Sequence, residues 1–168
     1  TLRYNSERIQ TEVSGYYTKF NNFINLFPEK RVALTIRGAF PVFSYEQGDA
    51  DFRGVDGNIE VEVNRNLGMH ASASIVRATN HVTDEPIFLI TPDRYSVGAE
   101  ISFPEVGRIP DHGLDLDISF VTSQSRFPAN ADFVNPPDAY QLVDFHYSAA
   151  FSSGADPVRL QAGVHNLF

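Results

Sequence analysis

The chain has 168 residues, with 21 acidic side chains against 13 lysines and arginines, a net charge of -8 that offers no basic patch to a nucleic-acid partner. It has no cysteine, so disulfides and thiolate metal sites are excluded. Nothing approaches the roughly 18 consecutive apolar residues of a spanning helix, which still leaves a protein that crosses a membrane by strands of about 9–11 residues with half their side chains polar.

The opening "TLRYNSERIQ" has neither the apolar run nor the small-residue cleavage site of a signal peptide. Arg8 to Phe20 sets Ile9, Thr11, Val13 and Gly15 against Gln10, Glu12, Ser14 and Tyr16. In Gly54 to Arg65, Val55, Ile59, Val61 and Val63 alternate with Asp56, Asn58, Glu60, Glu62 and Asn64. Met69, Ala71, Ala73 and Ile75 then alternate with His70, Ser72 and Ser74, and Tyr95, Val97, Ala99, Ile101 and Phe103 with Ser96, Gly98, Glu100 and Ser102. Leu114, Leu116, Ile118 and Phe120 oppose Asp115, Asp117 and Ser119. Val143, Phe145, Tyr147, Ala149 and Phe151 oppose Leu142, Asp144, His146 and Ser148; Val158, Leu160, Ala162 and Val164 oppose Arg159, Gln161, Gly163 and His165. Strand side chains repeat with period two, so each segment predicts a strand with one apolar and one polar face.

These make an all-β chain, an antiparallel meander of about seven long strands, and their length discriminates. Soluble strands average about 5–6 residues. Ten residues at about 3.3 Å, tilted by about 45°, cover roughly 23 Å, the height of an outer-membrane barrel's apolar band. Tight links are expected at Asn5–Glu7, Asn66–Gly68 and Ser152–Asp156, and long ones at Leu26–Tyr45, Thr79–Pro92 and Phe127–Asp138, with Pro104–His112 intermediate. Short turns at one rim and long loops at the other is how such barrels are built. Aromatics near strand ends (Tyr16, Tyr17, Phe20, Phe23, Phe52, Tyr95, Phe103, Tyr140) fit interfacial girdles.

Four stretches resemble the TonB-dependent outer-membrane receptor barrel: "ERIQTEVSGYYTKFNNFINL", "PVFSYEQGDADFRGVDGNIEVEV" (Asp56 standing where the family usually carries Glu), "TPDRYSVGAEISFP", and "DAYQLVDFHYSAAF" leading to the exit "GVHNLF". The resemblance implies a segment of a 22-stranded transmembrane β-barrel over residues 1–168, with plug domain, signal peptide and final strand absent. It implies the outer membrane of a Gram-negative cell, with lipid, the receptor's own plug and the TonB complex as partners. It further implies import of a scarce nutrient (siderophore, haem, cobalamin, metal or sugar), with strands near 8–20, 68–78, 113–124 and 157–166 climbing outward. The acids Glu12, Asp56, Glu60, Glu62, Glu100, Asp115 and Asp117 would then line a wet lumen.

No catalytic, cofactor, metal or ligand-binding residue is assigned. Asp49, Asp51, Gly54 and Glu60 match four positions of a calcium loop, but Arg53 stands where the third ligand belongs and strand alternation runs straight through. The histidines at 70, 81, 112, 146 and 165 form no helical pair; His81 with Asp84 and Glu85 reads first as a solvated loop. Asp144 and His165 are expected to face each other across the last hairpin as local structure. Glu60/Glu62 and Asp115/Asp117 read as a hydrated wall, and with no GxSxG and no cysteine no enzyme is expected. The competing reading is a soluble β-sandwich binding module, since a sheet with one wet face shows the same alternation. A small complete porin-like barrel is weaker, because bacterial single-chain barrels close with even strand numbers.

Overall fold

The computed structural model describes residues 1–103, 111–128, 136–153 and 156–167. It is one antiparallel sheet with no helix among the described residues: β1 (Leu2–Asn5), β2 (Ile9–Thr35), β3 (Gly38–Asn64), β4 (Leu67–Asn80), β5 (Glu85–Pro86), β6 (Arg94–Phe103), β7 (His112–Val121), β8 (Tyr140–Ser153) and β9 (Asp156–Val164). Each long strand pairs with the next, and the two-residue β5 pairs with the end of β4. The sheet is open, with β1 and β9 at its edges. The seven long strands read from the sequence are all present, joined by the short β1 and β5.

Register makes seven strands one surface. Ile9, Val61, Met69, Ala99, Leu116, Phe145 and Val164 lie in a single row from β2 to β9. The next row is Thr11, Ile59, Ala71, Val97, Ile118 and Val143. Among the described residues no second layer lies against this apolar face: Val55 is 48% exposed, Met69 45% and Leu160 52%. An exposed apolar face of this extent marks a surface that meets either lipid or another layer of protein.

The turns hold that register. Between β3 and β4 only Arg65 and Asn66 turn; Asn66 N–H bonds Asn64 Oδ1 at 2.8 Å, and its side-chain amide reaches Ser102 O on β6 at 2.8 Å. Ser6 turns β1 into β2, its N–H donating to Ile9 O at 2.8 Å while its hydroxyl accepts from Ile9 N–H at 3.0 Å.

The expected loop at Leu26–Tyr45 is instead a ribbon. β2 and β3 stay paired to Thr35 and Gly38, turning only at Ile36 and Arg37. Beyond residue 20 this adds about 50 Å of strand. Register shifts at Phe20/Phe23 and Glu29/Val32 broke the alternation in the sequence there. In the first of these, Asn22 takes φ 58°, tolerable for asparagine, and its N–H bonds Asp49 Oδ1 at 3.1 Å. The bulge also turns Phe23 to the same face as Phe20. Together with Phe52 they form a trio with ring centroids 5.2–5.7 Å apart.

Two of the three, Phe23 and Phe52, pack with Ile90 on a buried cluster of Ala50, Ala78 and Ile87, while Phe20 stays 41% exposed. Ile87 lies in the segment expected as the long Thr79–Pro92 loop. Its N–H bonds Ala78 O at 3.0 Å, and Phe88 stacks on Phe43 of the ribbon at 5.5 Å. Phe23 and Phe52 therefore pack against that cluster rather than standing free as girdle aromatics. Most of Phe127–Asp138, Pro104–His112 and the centre of Ser152–Asp156 lie outside the described residues.

Candidate functional site

Opposite the apolar surface, register assembles two adjacent polar rows. The first runs Glu62, Gly68, Glu100, Asp115, His146, Gly163. The second runs Glu60, His70, Gly98, Asp117, Asp144, with His165 just past the end of β9. From β3 onward every residue in both rows is His, Asp, Glu or Gly, and the rows continue to Arg8 beside Glu62 and Gln10 beside Glu60. Serines dominate the row beyond, where Ser72 Oγ and Ser96 Oγ are 2.7 Å apart.

The glycines are gaps through which long side chains reach. His70 on β4 extends across β6 at Gly98 to place its Nε2 2.6 Å from Asp117 Oδ1 on β7; a Cβ at 98 would collide with both. His146 lies over Gly163 in the same way, its Cδ2 2.6 Å from where a Cβ would stand. His146 Nε2 faces His165 Nε2 at 3.3 Å, and His165 Nδ1 is 3.6 Å from Asp144 Oδ1, which also accepts the Asn166 N–H at 2.9 Å. A cavity of about 440 Å³ opens here, lined by Glu100, Asp115, His146, Gln161 and His165. Asp115 Oδ1 is buried in it without a hydrogen-bond partner. Such a wall can hold water, cations or the basic side chains of a partner. Among the described residues no group of three or more His, Asp or Glu is gathered as a metal cage.

At the end of the sheet that carries Tyr17, Asp51 and Thr79 the polar groups are on the other face. Asp51 accepts from Tyr17 Oη at 2.8 Å and pairs with His81 Nε2 at 2.8 Å. The Tyr17 hydroxyl, then His81, holds the Asp51 carboxyl below the usual carboxylate range against a desolvation that opposes it, and Asp51 in turn pushes Tyr17 up. Arg77 makes a bidentate pair with Asp93, Nη2 to Oδ2 at 2.7 Å, and Arg126 approaches at 3.6 Å. The Arg77 hydrogen bonds keep the Asp93 carboxyl low despite partial burial. A second cavity of about 330 Å³ lies beside this pair, between β4 and residues 86–93.

Of the constellations seen in the sequence, Asp144 and His165 do face each other. The calcium-like set is dispersed: Asp51 is on the apolar face's side of the sheet, Glu60 is on the polar rows, and Asp49 caps the bulge. His81 turns to Asp51, while Asp84 sits at φ 56° in a turn and Glu85 pairs with Asn80. The seven acids expected on one wall share that face. Single-strand patterns do not carry the His70–Asp117 contact or the His146–His165 pair; the second follows from aligning β8 and β9 across their short link, whereas β4, β6 and β7 are joined by longer segments that set no register.

Comparison with known proteins gives one family and one fold. The family described as TonB dependent receptor-like, beta-barrel matches residues 1–167. Among solved structures, the chain is similar to one titled "Copper transporter OprC", with a TM-score of 0.75 and 22% identity, over 98% of this chain and 24% of that one. The chain therefore spans about a quarter of that protein. No match was found among curated protein sequences.

Proposed function

Because the chain belongs to the TonB-dependent receptor β-barrel family, we propose that it is a wall segment of an outer-membrane transporter that imports a scarce nutrient into a Gram-negative cell. The observation that carries this is the uncovered apolar surface running unbroken across seven strands, backed by a wall of ionisable side chains. One face meets lipid and the other a hydrated lumen, where carboxylates cost little because water still reaches them.

The strands' edges would pair with further strands of the same barrel, the lumen would hold the receptor's own plug, and TonB would supply energy. The short Arg65–Asn66 turn would face the periplasm, and the β2–β3 ribbon and residues 81–93 the outside, where capture groups have room. Likeness at 22% identity carries the fold and not the cargo; siderophore, haem, cobalamin, metal and sugar are the classes to be tried.

Deleting the receptor gene should abolish growth on, or accumulation of, one of those classes when it is limiting. Inactivating TonB in the parent strain should give the same loss. Uptake unaffected by the deletion for every class, or persisting without TonB, contradicts the proposal.

A further inference from the structure

Two imidazole nitrogens oppose each other across the last hairpin, His146 Nε2 and His165 Nε2, 3.3 Å apart with ring centroids at 4.7 Å. Nitrogens bound at about 2.0–2.1 Å to one tetrahedral metal stand about 3.3 Å from each other. The nitrogen spacing thus matches that of two ligands of one ion, and the rings, with centroids at 4.7 Å, need open by only about 0.6 Å for both lone pairs to converge on it. His146 reaches that position because Gly163 has no side chain to displace it. Behind His165, Asp144 Oδ1 stands 3.6 Å from Nδ1. At 3.6 Å that oxygen, which accepts the Asn166 N–H, is not hydrogen-bonded to Nδ1; closing the gap to about 2.9 Å would give the carboxylate–imidazole bond that fixes the tautomer of a metal-bound ring and leaves Nε2 free to coordinate. In the same cavity Asp115, the sheet partner of His146, has a buried carboxylate oxygen with no partner.

We propose that His146 and His165 form a two-imidazole site for a first-row divalent metal ion on the lumen wall, with Asp144 as its orienting carboxylate. Imidazole favours copper and zinc among such ions, and the surrounding carboxylates add negative potential. Structural zinc sites close with four protein ligands. Two nitrogens with the remaining positions open to water hold an ion and release it, as a site beside a passage must. The alternative use of the same contact is a plain hydrogen bond, one ring N–H donating to the other ring's lone pair, with no metal.

The proposal rests on the transporter reading only in needing the polar face hydrated, and its test needs neither uptake nor TonB. The intact receptor, purified in detergent, is titrated with Cu²⁺ against a competing chelator and followed by electron paramagnetic resonance. We expect one copper signal coupled to two nitrogens. His146→Gln or His165→Gln should each weaken that copper at least tenfold and remove one nitrogen coupling. Asp144→Asn should weaken it by about tenfold while keeping both couplings. Each variant is first shown to be folded by its heat-modifiable migration; His165, with 69% of its side chain exposed, is the safer of the two to change. An unaltered signal and affinity in His165→Gln, or no copper signal coupled to two nitrogens in the parent, overturns the site.

Discussion

Along β3 and β4 the two faces exchange character within two residues. Val55 and Ile75, paired across the strands, belong to the apolar surface; the next pair on the same face is Arg53 with Arg77, followed by Asp51 with Thr79. The opposite face changes the other way, from Asp56 with Ser74 to Phe52 with Ala78, which pack on the buried Ile87. In the lower region the sheet is apolar outside and ionisable inside; in the upper region it is charged outside and packed with phenylalanine inside. Twist or bulging does not explain this, because the pairing is continuous from Ala50/Asn80 to Glu62/Gly68. On the proposed barrel reading a change of solvent does: the apolar face would leave hydrocarbon between Val55 and Arg53, and beyond that level the chain builds a small core of Phe52, Ala78 and Ile87.

Charge on the two faces should break the comparison most sharply. Arginine at Val61 or Val97 in the intact receptor should cost about 2–4 kcal/mol at mid-bilayer and block assembly, as read by surface protease protection or antibody binding. Arginine at Thr79, on the same face but above the boundary, should assemble normally. Equal assembly of Val61→Arg and Thr79→Arg would erase the boundary.

The upper core comes next. Phe52 touches both Phe20 and Phe23, so Phe52→Ala should destabilise the packing of residues 81–93 by about 2 kcal/mol, below the full core range because the ring is only partly buried. The measurement is the rate of limited proteolysis in that segment, expected to rise while the barrel stays protected. No change in cleavage would mean that the cluster does not hold the segment.

The Arg77–Asp93 pair is a finer probe. Asp93→Asn should cost about 1 kcal/mol by hydrogen–deuterium exchange of Thr122–Arg126 and the start of β6. The folded-state pKa of Asp93 lies below its ordinary value, so the pair's contribution is present above about pH 4 and is lost as pH falls through the depressed value. Asp93→Asn should remove that acid-side step. On the polar rows Glu62→Gln should be smallest, within about 0.5 kcal/mol, because Glu62 is exposed.

The seven strands and both of their faces were legible because Val55 to Val63 or Leu114 to Phe120 keep a strict period of two. The ribbon was not. Between Phe20 and Phe43 two register shifts, two prolines and scattered charge interrupt the alternation, so strands paired over that length read as a loop. Bulging also put Phe20 and Phe23 on one face where their spacing had placed them on two. The wall's acids were visible strand by strand, but His70 meets Asp117 across 47 residues of sequence and a glycine on the strand between. Such rows depend on register, which turns such as Arg65–Asn66 set and single-strand patterns do not carry.

The exchange of faces can be measured residue by residue with nitroxide labels along β3 of the intact receptor in lipid vesicles, reading collisions with oxygen against a water-soluble nickel chelate. Outward-facing labels at 61, 59 and 55 should be oxygen-accessible and nickel-protected, with the ratio reversing by 51. Inward-facing labels should be nickel-accessible at 60 and 58 and shielded from both at 52. Nickel accessibility that is uniform along the outward positions, with no reversal between 55 and 51, would contradict the account.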